Sequence, residues 1–80
     1  MKEKDLKLND IIGLEYHGIP CYAKVVEEID VFKPQTFEPI TKKIVKAMIR
    51  REDNSILYEN FALNEDSDYT LVYREENKNI

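Results

Sequence analysis

Ile12, Leu14 and Tyr16 alternate with Ile11, Gly13, Glu15 and His17, and that period of two predicts a half-buried strand. His17-Gly18-Ile19-Pro20 then reads as a turn. Gly18 tolerates positive φ, and Pro20, which cannot donate to a ladder, belongs at a strand start or an edge. Cys21, Ala23 and Val25 continue on one face of a second strand, with Tyr22, Lys24, Val26 and Glu28 on the other. The β-branched Val25, Val26 and Ile29 favour extension, with a bend or bulge expected near Glu27. After a polar turn from Asn64 to Asp68, Tyr69, Leu71 and Tyr73 alternate with Thr70, Val72 and Arg74, which gives a short last strand.

The middle of the chain is less regular. Val31 to Thr41 contains Pro34 and Pro39 and reads as a loop of about ten residues carrying Phe32 and Phe37, longer than the usual 4 to 6. Ile44 to Arg51 fits two periods. Ile40, Ile44, Ala47, Met48 and Arg51 make a helical stripe, whereas Val45, Ala47 and Ile49 share one face of a strand. Asp53-Asn54 is a hairpin signal, and Ile56 to Tyr58 with Phe61 to Leu63 supplies a return strand, so the strand reading is preferred. A two-residue loop, Asp53-Asn54, would pair Ile49 with Tyr58. A three-residue loop, Asp53 to Ser55, would pair Ile49 with Glu59, Ala47 with Phe61 and Val45 with Leu63. A one-residue slip turns every side chain to the other face. The second register keeps Val45, Ala47, Phe61 and Leu63 on one buried face and is preferred.

Five short strands joined mostly by turns predict an all-β or mainly β fold, either a small five-stranded barrel or a strongly bent antiparallel sheet. The alternative is α+β with one helix at about 41–51. The segments Asn9 to Tyr16 (NDIIGLEY) and Cys21 to Glu27 (CYAKVVE) resemble the opening of Tudor- or KOW-type barrels, and the order of elements resembles the SH3-like family of small barrels. The resemblance spans about 60 residues, implies a barrel architecture and carries no functional motif. A Tudor-type aromatic cage would need several rings clustered at loop ends. Tyr16, Tyr22, Phe32, Phe37 and Tyr58 are available, and the sequence does not place them together.

Eighty residues allow one small domain, 1–80, with an ordered core expected at about 8–74. Lys2 to Leu8 reads as a charged lead-in and Arg74 to Ile80 as a polar, frayed tail. Cys21 is the only cysteine, which excludes an internal disulfide and a zinc-finger ligand set and suits a reducing compartment. Met1 to Leu8 lacks the apolar stretch of a signal peptide, and no apolar run approaches the roughly 18 residues that span a membrane. The expected location is the cytoplasm.

Twelve Lys+Arg against 16 Asp+Glu give a formal net charge of −4, and the distribution is uneven. From Lys33 to Arg51 six bases meet one acid. From Glu52 to Asp68 six acids meet no base. Read structurally, two adjacent strands set opposite charges across a ladder; read functionally, the bases form a patch.

Catalytic and metal readings find little support. Cys21 and His17 flank one turn, yet Cys21 falls on the apolar face and no third group orients the imidazole. Asn64, Asp66, Asp68 and Glu75 match four positions of a calcium loop, but Tyr69 stands where that loop needs Gly. Gly13 and Gly18 are isolated, so a phosphate-cradling loop is absent from the sequence. The expected function is therefore non-enzymatic and without cofactor: a module that binds a protein partner, as an adaptor, regulator or inhibitor of the kind phage and mobile elements also encode. Phe32, Phe37 and Tyr22 are its candidate contacts. The alternative is a nucleic-acid-binding barrel that uses Lys42, Lys43, Lys46, Arg50 and Arg51. No membrane partner is expected, and the chain is expected to be a monomer or weak homo-oligomer.

Overall fold

The computed structural model describes residues 1–75. Five antiparallel strands form one sheet: β1 Ile11–Tyr16, β2 Ile19–Phe32, β3 Pro39–Arg50, β4 Ile56–Ala62 and β5 Thr70–Tyr73, in the order β4-β3-β2-β1-β5. The mainly β expectation holds. The segment that also fitted a helix at about 41–51 is β3, because only the strand buries Val45, Ala47 and Ile49 together while Lys46, Met48 and Arg50 stay in water. Among the described residues, no helix is long and apolar enough to cross a membrane.

The sheet is bent but not closed, with β4 and β5 as its edges. Its curvature can be read from one contact. Tyr16 on β1 and Phe61 on β4 are separated by two strands and, through their levels at Ile19 and Val25 of β2, by six residues along the strands, which puts them about 25 Å apart in a flat sheet. Their ring centroids are 5.8 Å apart. The concave face therefore folds onto itself around Leu6, Ile12, Ala23, Val25, Val45, Ala47, Ile49 and Leu63.

β1 and β2 join through a two-residue turn in which His17 and Gly18 have φ of 49° and 80°. Such a turn matches the twist of the flanking strands, and Gly18 meets its demand for positive φ without strain. Pro20 sits next to the start of β2, before the β3 ladder begins at Tyr22, so its missing N–H breaks no pairing there. β2 bulges where expected: Val25 pairs Val45 and Glu27 pairs Ile44, leaving Val26 unpaired.

Beyond that bulge, β2 and β3 continue as a two-stranded arm to the pair Phe32 and Pro39. The loop is consequently Lys33 to Glu38 rather than Val31 to Thr41. The prolines misled the sequence reading, since Pro39 is tolerated as the first residue of a strand.

The β3–β4 hairpin corrects both expected registers. Ile49 faces Leu57, Ala47 faces Glu59 and Val45 faces Phe61. The loop has three residues, as preferred, but they are Glu52, Asp53 and Asn54. The Arg51 amide donates to the Ser55 carbonyl, and Asn54 takes φ 68°. Asn at the left-handed position closes a three-residue hairpin at low cost. The Ser55 amide and hydroxyl both donate to Asp53, which holds the turn.

The chain ends also differ from expectation. Two residues of the 1–7 segment, Glu3 and Leu6, are buried. A single 3-10 turn, Glu3–Asp5, buries Glu3 and delivers Leu6 into the apolar cluster. Arg74, expected to fray, donates from Nε to Asp10 Oδ1 at 2.9 Å and from Nη2 to Asp10 Oδ2 at 2.7 Å. The remainder of the expected tail, 76–80, lies outside the described residues.

Asp10 is buried, and its carboxylate also accepts the Lys7 amide at 2.7 Å. The Arg74 hydrogen bonds hold this carboxyl below the ordinary 3.8, against burial, which pushes it up. Asp10→Ala would strand the Lys7 amide and the guanidinium, costing about 2 kcal/mol, or roughly 10 °C in Tm for a domain of this size. The unfolded chain takes up this proton more readily than the folded one, so the stabilisation is complete above about pH 5 and lost as pH falls through the depressed value. Thermal melts down to about pH 3 should show the wild-type and Asp10→Ala midpoints converging in acid.

Candidate binding surfaces

Phe32 and Phe37 both stand at the arm tip, 68% and 76% exposed. They do not plug an end of the sheet. The loop between them is ordered by two backbone bonds, from the Lys33 amide to the Glu38 carbonyl and from the Phe37 amide to the Lys33 carbonyl. Phe37 has φ 56°, a left-handed conformation that bulky residues avoid. Lys33 reaches Glu65 at 3.8 Å and ties the arm to the turn before β5.

Tyr22, the third expected contact, is elsewhere. It lies on the outer, convex face about 30 Å back along β2. There it joins a row that crosses the sheet: Tyr58 faces Met48, Met48 faces Tyr22, Tyr22 faces Gly13, and Gly13 faces Thr70. The neighbouring row runs Asn60, Lys46, Lys24, Ile11, Tyr73. An open depression of about 970 Å³ takes Tyr22, Met48 and Val72 from this face and Leu14, Cys21 and Phe61 from the concave one, so it is not confined to the outer row. Since Gly13 has no side chain, the row dips at its centre.

The five bases of the 42–51 segment separate into two groups. Lys42 Nζ contacts Glu3 Oε1 at 3.0 Å and donates to the Leu63 carbonyl, while buried Lys43 pairs with Glu28 at 3.5 Å and its amide donates to Glu3 Oε2. Both are committed to the fold. Lys46 and Arg50 project from the outer face, and Arg51 sits in the hairpin turn. The acidic run does not neutralise β3 across the ladder as the structural reading supposed. β4 carries one acid, Glu59, which points inward opposite Ala47. Of the later acids, Glu65 takes Lys33 and Asp68 takes Lys2 and the N-terminal amine.

No aromatic cage forms among the described rings. Tyr16 packs on His17 and Phe61 at the concave side, Tyr22 and Tyr58 lie outside, and Phe32 and Phe37 are on the arm. Cys21 is half-buried on the concave face, where burial pushes its thiol pKa up and disfavours the reactive thiolate. The Asn64 to Asp68 turn is held by its own groups: Asn64 Oδ1 accepts the Asp66 amide, and the Tyr69 hydroxyl accepts the Asn64 amide. Sequence reasoning missed Lys24, Met48 and Tyr73 as surface partners of Tyr22 and Tyr58. Their alternation with buried neighbours was the available signal; the cross-strand register that unites them was not.

Comparison with protein-family models, with curated proteins and with solved structures returned no match for this chain.

The division of the bases is testable by stability. Lys42→Gln leaves buried Glu3 without its ammonium and should cost about 2 kcal/mol, roughly 10 °C in Tm. Lys46→Gln and Arg50→Gln should stay within about 0.5 kcal/mol of wild type. Thermal unfolding of the three variants followed by circular dichroism checks this.

Proposed function

We propose that this chain is a small non-enzymatic interaction module that binds a protein partner through the tip of the β2–β3 arm. The observation that carries the reading is Phe37. Its left-handed backbone costs about 1–2 kcal/mol relative to glycine, and its ring, 76% exposed, recovers nothing by burial. Strain kept at an exposed aromatic, on an ordered loop beside a second exposed ring, is what an anchor for a partner's pocket requires. The arm's projection beyond the sheet makes both rings accessible to such a pocket.

A meander from β1 to β4, with β5 returning to pair β1 around one small core, supports the SH3-like reading, in which the fold is a scaffold and loops do the binding. The role assigned is that of an adaptor, regulator or inhibitor. A single cysteine, with no second one to form an internal disulfide, suits a reducing compartment and supports a cytoplasmic module. Glu59, pointing inward from edge strand β4, discourages strand addition there and supports a monomer or weak homo-oligomer.

The test separates folding from binding. Phe37→Gly relieves the strain and should hold or raise Tm, and combined with Phe32→Ala it should lose at least about 2 kcal/mol of affinity, roughly thirtyfold. Affinity capture from the native cell with wild-type and doubly substituted protein measures this. Retention of every interaction by a folded double variant overturns the proposal.

A further inference from the structure

We infer that the outer face of the sheet is a binding site for single-stranded nucleic acid, with Tyr22, Tyr58 and Tyr73 as stacking platforms and Lys24, Lys46 and Arg50 as phosphate contacts. This site is distinct from the arm tip and does not depend on the reading of it.

Tyr22, Tyr58 and Tyr73 are 62%, 53% and 57% exposed and lie on β2, β4 and β5, each two strands from the next. Two strand spacings are about 10 Å, so the rings form a track rather than a cluster. Met48 lies between Tyr22 and Tyr58 and supplies an adaptable apolar floor. Among the described residues, no second layer covers these rings.

The cations follow the same track. Lys24 and Lys46 face each other directly across the β2–β3 ladder, an arrangement of like charges that destabilises a sheet. Lys46 Nζ lies 5.2 Å from the Tyr58 ring centroid. Neither lysine, nor Arg50, has a carboxylate within 4.0 Å among the described residues. Two acids share this face, Glu15 and Glu27, the latter facing Ile44 one step along β3 from Lys46, and neither comes within 4.0 Å of these bases. A protein of net charge −4 thus keeps three unneutralised bases beside three exposed rings.

The pairing of ring faces with cations decides the ligand class. An acidic peptide would satisfy the bases and leave the tyrosines without a role. A duplex offers phosphates but hides its base faces. A single strand offers both, phosphates to the bases and unstacked bases to the rings. At Gly13 the track carries no side chain, and Val72 and Thr70 flank the bare backbone.

Fluorescence anisotropy with a labelled oligothymidylate of roughly 20 nucleotides, longer than one small barrel covers, tests the inference. With three phosphate contacts, affinity should fall about twentyfold between about 50 and 200 mM salt. Lys24→Gln/Lys46→Gln should fold at least as stably as wild type and flatten the salt slope to about a third. Tyr58→Leu, which keeps apolar bulk, should weaken binding roughly tenfold at unchanged Tm. Phe32→Ala/Phe37→Gly should bind the oligonucleotide as wild type does. Absence of binding at low salt overturns the inference, as does binding indifferent to both the lysine and tyrosine variants. Equal affinity for a duplex of the same length, or for polyglutamate, overturns it in favour of a general polyanion surface.

Discussion

Asp10 joins three parts of the chain that would otherwise have no reason to meet. Its carbonyl accepts the Val25 amide, and the neighbouring Asn9 amide donates to the Val25 carbonyl, so the chain entering β1 grips β2 beside its bulge. Its carboxylate takes the Lys7 amide from the N-terminal segment and the Arg74 guanidinium from the end of β5. A buried carboxylate is tolerated only when its oxygens are satisfied, and here the three donors come from both sides of the sheet's open edge. The bulge interrupts the β2–β3 ladder beside this grip, and the Tyr16–Phe61 contact closes the concave face of a single sheet over one core. The arm starts where this grip ends. Exposure of its tip is therefore a consequence of the same constraint.

Which face each residue takes was legible in the sequence; which residue faces which was not. Alternation placed Ile12, Ala23, Val25, Val45, Ala47 and Leu63 inside correctly. The β3–β4 register is offset by two residues from the preferred one, and an offset of two leaves every side chain on its expected face. Hydrophobic pattern is blind to such a slip. The turn decides it, through the positive φ of Asn54, and Asp53-Asn54-Ser55 contains enough turn formers to allow either placement. The arm was hidden for a related reason. Pro34 and Pro39 mark a break, but not on which side of each proline the ladder resumes.

Charge was less legible than hydrophobicity. Blocks of bases and acids along the chain imply pairing between neighbouring strands, whereas the pairs formed join segments far apart in sequence: Lys42 with Glu3, Arg74 with Asp10, Lys2 with Asp68. Buried Glu3 is the clearest case. A carboxylate in a charged leader reads as solvated, yet it satisfies the Lys43 amide and the Lys42 ammonium at the root of the arm. Nothing local to residues 1–8 announces that role, since it depends on where β3 passes. The same network, by consuming Lys42 and Lys43, changes which bases are available to a ligand, and moves attention from the basic run to Lys24 and Lys46.

A one-sheet domain of this size has a specific difficulty with its second face. The concave side closes on itself, but curvature spreads the strands' outer side chains apart, and no helix or second sheet is present among the described residues to cover them. Strand propensity is satisfied by the tyrosines there, and stability alone would set opposite charges across the ladder. Instead the face carries a facing lysine pair beside them. The arm tip departs from the stability optimum in a different way, through backbone strain at an exposed Phe37. These two departures are separated by about 30 Å along β2, beyond the range at which substitutions usually couple. They are best understood as two independent surfaces on one scaffold, with the Asp10 grip on Val25 lying between them along β2.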